Sequence, residues 1–153
     1  MDIADLITPD RVVANLRAVE KRQVLKDCVR HADVPDLDQE TILDALLQRE
    51  QLGSTGVGGG IALPHARIGG LDRFIGLFAR LDRPVEFEAV DERPVDLVFL
   101  LLVPANATNE HLQALACVSR RLRDRDVAAR LRRAGDATEM YGLLVGATSP
   151  AQE

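Results

Sequence analysis

The run Val95-Asp96-Leu97-Val98-Phe99-Leu100-Leu101-Leu102-Val103, closed by Pro104, constrains this chain more than any other stretch. It is too short for a membrane-crossing helix, which needs about 20 apolar residues. Its apolar character is continuous rather than alternating, so it reads as a central strand covered on both faces. A chain built around it needs helices for two layers, and its flanks supply them. At 153 residues the chain fits one domain with a core of its own.

Before the run, Val24, Leu25, Cys28, Val29 and Ala32 share one face of a helix within 19–32, ended by Pro35. Asp38 is a good N-cap for a second helix, with Leu37 and Ile42 placed as a hydrophobic staple. That helix turns Ile42, Leu43, Leu46 and Leu47 inward and ends near Gln51, with Gly53 just beyond. The period then changes. Ile61–Leu63, Phe74–Leu81 and Pro84–Ala89 read as strands, the last alternating Val85 and Phe87 against Glu86 and Glu88. Pro64 places the first of these at an edge or at its end. Residues 11–17 alternate loosely and fit a strand or a helix start.

Three helices are expected after Pro104. Thr108 or Asn109 caps the first, with Leu112, Leu115, Ala116 and Leu122 on its apolar face. Asp126 caps a short second one ending at Gly135, and Asp136 with Glu139 resembles a capping box for the third. The expected fold class is α/β: a single-domain sandwich of a mixed, roughly five-stranded sheet with helices on both sides. Residues 1–146 would form the domain and 147–153 a polar, frayed tail.

A net charge of −5 gives no reason to expect nucleic acid or membrane as partner, and aromatics for base stacking are scarce. The acidic opening Met1-Asp2-Ile3-Ala4-Asp5 lacks the features of a signal peptide, so a cytoplasmic location is expected. Cys28 and Cys117 are isolated and read as small buried hydrophobes. The arginines at 120, 121, 123, 125, 130, 132 and 133 form the one charge cluster; Asp124 and Asp126 among them favour a solvated helical face over a docking surface.

Chemistry concentrates around Gly53, Gly56, Gly58, Gly59 and Gly60. A phosphate-cradling Walker loop needs Gly-Lys-Ser/Thr, yet no lysine follows Lys26. A dinucleotide fingerprint fails too, because a strand and not a helix follows these glycines. They could simply form a tight helix-to-strand connection. Of three histidines, His31 reads as a surface residue near Asp33. His65 follows a strand and a proline, and His111 lies in the first turn of the helix after the central strand. Both could share one sheet edge, with Arg49 at the junction into the glycine loop. Metal-ligand pairs of close spacing and a nucleophile elbow are both absent from the sequence. A phosphoryl site fits better: neutral imidazole is a competent nucleophile near pH 7, and Arg49 with loop N–H groups would stabilise the transferred group.

The motifs Arg49-Glu50-Gln51-Leu52-Gly53-Ser54-Thr55-Gly56, Gly60-Ile61-Ala62-Leu63-Pro64-His65, Pro94 to Pro104, and His111-Leu112 resemble the fructose/mannitol-type IIA domain of the bacterial phosphoenolpyruvate phosphotransferase system. The resemblance covers nearly the whole chain and is closest to the stand-alone nitrogen-regulatory branch. It implies that His65 is the phosphorylated residue, that His111 and Arg49 flank it, and that Ser54, Thr55, Gly56 and Arg67 complete the binding site. It further implies an HPr-like phosphohistidine donor, no bound cofactor and no metal. Where the family commonly has Gly-Lys after the active histidine, this chain has Ala66-Arg67; alanine tolerates φ > 0 poorly, so an altered turn is expected there. The expected function is that of a regulator whose phosphorylation state decides its partners. The alternatives are a sugar-uptake IIA component that passes phosphate to a IIB protein, and an interaction module that has lost phosphotransfer.

Overall fold

The computed structural model describes residues 1–146. The expected frayed tail, 147–153, lies outside the described residues. Val12–Leu16 forms β1, so the loose alternation of 11–17 is a strand. Lys21–Ala32 is α1 and Gln39–Gln51 is α2. Then come β2 (Gly56–Gly58), β3 (Ile61–Ala62), β4 (His65–Ile68), β5 (Ile75–Val85) and β6 (Val95–Pro104). Three helices close the chain: α3 (Asn109–Leu122), α4 (Arg125–Arg133) and α5 (Ala137–Val145).

The sheet has six strands rather than roughly five, in the order β1-β5-β6-β3-β2, with β4 also on β6. It is mixed: β5 and β6 are antiparallel, while β1 on β5 and both β3 and β4 on β6 are parallel. The apolar run is its central strand, and every residue from Leu97 to Val103 is at most 1% exposed. Leu97, Phe99, Leu101 and Val103 pack under α3, α4 and α5. Val98, Leu100 and Leu102 face the opposite way, into the core beneath α1 and α2. A truncation such as Leu100→Ala therefore costs about 2–5 kcal/mol wherever it falls along this strand.

Helix ends follow local chemistry. The Asp38 carboxylate accepts from the Thr41 N–H, as its cap role requires. Asp124, not Asp126, caps α4 and accepts from Asp126 and Val127, because the helix begins two residues earlier than the sequence suggests. Asp136 accepts from Glu139 N–H, but the Glu139 carboxylate takes Gly135 N–H, so the capping box is displaced by one residue. The inward face of α3 is Ala114, Val118 and Leu122, rather than one running through Leu112 and Ala116, both of which are exposed.

Residues 86–89 are irregular rather than a strand. Phe87 is fully buried and Glu86 and Glu88 are exposed, so the alternation is real. Its backbone has no strand partner, however: the Phe87 carbonyl is taken by the Lys21 ammonium and the Ser54 hydroxyl. Cys28 is buried as expected, its thiol pushed up to about 12 by desolvation, whereas Cys117 is only half-buried.

Candidate functional site

The glycine run folds as a hairpin. β2 and β3 pair antiparallel, and Gly58, Gly59 and Gly60 turn between them with φ of 99°, 68° and 80°. Such a turn requires positive φ, which glycine adopts without steric cost. The hairpin lays β3 against β6, and two residues later β4 continues along the same side of β6. His65 opens β4. Ala66 and Ile68 enter the core beneath α2, so His65 and Arg67 take the alternate face, toward α3. Ala66 sits in ordinary strand geometry: the chain makes no turn after His65, and alanine meets no strain there.

Two hollows meet at His65. The larger, about 550 Å³, is lined by Arg49, Leu52, His65, Arg67 and His111 among others. The smaller, about 310 Å³, is lined by Arg49, Ser54, Thr55 and His65, with Leu115 of α3 behind. The rings of His65 and His111 stand edge to face, 5.5 Å between centroids and 61° between planes. His111 thus arrives from the first turn of α3 at the same edge as Arg49 from the last turn of α2. The three residues are together, though separated by 16 and 46 positions in the chain.

The His65 ring is fixed by its own backbone: Nδ1 lies 2.8 Å from the Leu63 carbonyl. A carbonyl only accepts, so Nδ1 carries the proton and the Nε2 lone pair is free. Burial pushes the His65 pKa below its ordinary 6.5, and the Arg49 charge pushes the same way; the Leu63 bond and Glu50 oppose this and do not win. His111 is lowered as well, by desolvation first and then by His65, Arg67 and Arg49. Both rings are therefore neutral near pH 7. Among the described residues, His111 Nε2 is the buried side-chain polar atom without a hydrogen-bond partner.

The arginines are tethered with donors to spare. One Arg49 nitrogen donates to the Gly53 carbonyl at 3.0 Å. Arg67 Nη1 donates to the Ala105 and Ala107 carbonyls, at 3.2 and 2.6 Å, which ties down the segment leading into α3 and His111. Thr55 and Gly56 have their donors, and Ser54 its hydroxyl, engaged inside the protein. Thr55 N–H and hydroxyl go to the Glu50 carboxylate, Gly56 N–H goes to Ser54 Oγ, and the Ser54 hydroxyl goes to the Phe87 carbonyl. Glu50 is the residue that sequence reasoning passed over. Its side chain is 5% exposed and ion-paired to Lys21 at 2.8 Å, so it locks α1, α2 and the glycine segment together beside Arg49. Its signal was adjacency: a carboxylate in the last helical turn facing a serine and threonine across Gly53. Among the described residues no three His, Cys, Asp or Glu side chains gather as a metal site would need.

Residues 5–146 match the family model described as phosphoenolpyruvate-dependent sugar phosphotransferase system, EIIA 2. The chain belongs to that family. This IIA protein is 45% identical over 145 residues to a nitrogen regulatory protein of Bradyrhizobium diazoefficiens, covering 94% of this chain and 95% of the relative. A nitrogen regulatory protein of Pseudomonas aeruginosa is 41% identical over 145 residues, covering 94% of each. Among solved structures, nitrogen regulatory protein IIA-Ntr from Neisseria meningitidis superposes with a TM-score of 0.88 at 32% identity, covering 93% of this chain and 98% of that one. The α/β fold with its mixed sheet is that of the family, and no described helix is long and apolar enough to cross a membrane.

Proposed function

We propose that this IIA protein is a cytoplasmic phosphocarrier of the nitrogen-regulatory kind, accepting a phosphoryl group on Nε2 of His65 from an HPr-like phosphohistidine protein. The carrying observation is the Nδ1 contact to Leu63, which leaves a neutral ring with its lone pair free beside Arg49 and His111. In the transfer, the Nε2 lone pair forms the new N–P bond as the donor's N–P bond breaks, and that electron pair returns to the donor imidazole. The His65 ring becomes cationic while Nδ1–H keeps its bond to the Leu63 carbonyl. Phosphoryl transfer is mostly positioning and charge stabilisation. The free Arg49 donors and the unpartnered His111 nitrogen suit the equatorial oxygens of the transferred group. Leu52 at the rim of the larger hollow and Leu112 beside His111 are 84% and 68% exposed, which gives the donor protein an apolar surface to dock on.

Phosphorylation places a dianionic group on a ring that becomes cationic, a net change of about one charge unit on a face where a neutral imidazole stood, enough to switch which partner this face accepts. The experiment is phosphorylation with phosphoenolpyruvate, enzyme I and an HPr-like carrier, reading acid-labile, alkali-stable phosphate. His65→Ala should abolish the label; label that persists there refutes the assignment. Arg49→Ala and His111→Ala should each slow labelling, by roughly 10- to 100-fold for a lost charge-assisted contact. Passage of the label to a sugar-specific IIB protein would replace the regulatory reading by the transport one, and a chain that takes no label at all is an interaction module.

A further inference from the structure

The fold disperses the arginine cluster of residues 120–133. Arg121 donates to the Leu143 carbonyl, Arg130 pairs with Asp126, and Arg132 makes a two-pronged pair with Asp96 at 2.8 and 2.9 Å. Arg123 and Arg125 have no side-chain partner among the described residues, and neither has Arg93 from the loop between β5 and β6. These three arginines, with Arg132, line one hollow of about 430 Å³. Its other walls are the Gly58-Gly59 backbone and an apolar set of Val57, Ile61, Leu122 and Ala128. The hollow lies at the far end of α3 from His111, eleven residues and therefore about 16 Å along the helix. With the two hollows at His65 it shares only Val57, which borders the smaller one; Gly59, Arg93 and Arg132 also line an adjoining hollow on the Asp96 side.

Three cations converging on a concave surface repel one another and attract an anion. Of the acids around these arginines, Asp96 pairs with Arg132, Asp126 pairs with Arg130, Asp91 accepts from the backbone N–H groups of Gly59 and Arg93, and Asp124 caps α4. The volume is that of a small-ligand site and exceeds what a lone inorganic ion fills. Guanidinium forks match phosphate oxygens, and the apolar floor suits an organic body. We propose that this hollow binds an organic polyphosphate of nucleotide size, its phosphates held by Arg93, Arg123 and Arg125 and its organic part resting on Val57 and the exposed edges of Ile61 and Ala128. A concave site with an apolar floor favours such a compact anion over an acidic segment of a partner protein.

The test is calorimetric titration of the full chain with ATP, inorganic pyrophosphate, inorganic phosphate and a hexaglutamate peptide. One ATP should bind saturably, more tightly than pyrophosphate or phosphate, and more weakly as salt is raised. Arg123→Ala with Arg125→Ala, and separately Arg93→Ala in a different loop, should each weaken ATP binding by about tenfold or more, the worth of one charge-assisted contact. Arg49→Ala and the exposed Arg22→Ala should leave it unchanged, and a thermal melt confirms that each variant is folded. The proposal is overturned if ATP shows no saturable binding or if the Arg93 and Arg123/Arg125 variants bind it normally. It is equally overturned if Arg49→Ala abolishes binding, which would place the ATP at His65, or if the peptide outcompetes it.

Discussion

Replacing Glu50 by Gln keeps the shape of the side chain and removes its charge, at a point where three segments meet. The carboxylate is 2.8 Å from Lys21 Nζ and 3.1 Å from the Thr55 N–H, and it also accepts from the Thr55 hydroxyl. A glutamine carbonyl can serve one of these donors, but its NH2 then faces another donor. Hydrogen bonds to a charged group contribute about 1.5–3 kcal/mol net. The full about 3–5 kcal/mol of a broken buried pair is not expected, because Lys21 is 19% exposed and keeps the Phe87 carbonyl at 3.3 Å. The expected loss is about 2–3 kcal/mol, or roughly 5–10 °C in Tm for a chain of this length. Urea and thermal melts of Glu50→Gln, Lys21→Met and the double variant measure it, with a coupling of about 1–2 kcal/mol expected between the two sites. Labelling at His65 should slow in parallel, since Arg49 stands in the same helical turn. A loss below about 0.5 kcal/mol, or no coupling to Lys21, would show that this carboxylate does not anchor the site.

Other outcomes follow from the geometry. Because the His65 pKa is lowered, the acid limb of the pH–rate profile for phosphoryl acceptance should have its midpoint below 6.5; a midpoint at or above that value contradicts the buried, neutral ring. His65 and His111 bind protons more readily in the unfolded chain, so both favour unfolding as pH falls from 6.5 through their depressed folded values. Urea melts at pH 7 and 5.5 should show a smaller drop for His111→Gln than for the parent protein. Arg67→Ala removes the tethers to Ala105 and Ala107 and should cost about 1–2 kcal/mol and slow labelling, while Arg67→Lys recovers part of both. Gly76→Ala places a Cβ 2.8 Å from the Phe99 ring and 2.9 Å from the Leu6 carbonyl, overpacking that should cost about 1–3 kcal/mol in a denaturant melt.

What could be read in the sequence was what local pattern encodes. The apolar run announced β6, and α1 and α2 carried a clear helical period. β2 and β4 were missed because Gly-Val-Gly and His-Ala-Arg-Ile have almost no pattern of their own; pairing with β3 and β6 makes them strands. The face of α3 was misread for a related reason. Leu112 looked like core, yet it is 68% exposed beside His111, on the opposite side of α3 from Ala114 and Val118. The motif order pointed to His65, Arg49 and His111, and the fold brings them to one edge. Glu50 could not be weighed, because a buried carboxylate is distinguished from a solvated one only by its distant partner, Lys21.

The pairing of β3 and β4 along β6 carries a rule about insertions. Ile61 pairs with Leu97 and His65 with Leu101, the same offset on both sides of Pro64, so the proline interrupts pairing without shifting it. The position of His65 is therefore set by counting residues from Gly60. One residue added or lost between Gly60 and His65 would exchange the two faces of the strand, sending the imidazole into the apolar layer under α2 and Ala66 out to the face His65 now occupies. Two residues would restore the face but move it by one pleat, about 7 Å, away from Arg49 and His111. The segment therefore tolerates substitution better than a change of length, and its length is as much a part of the proposed site as its histidine.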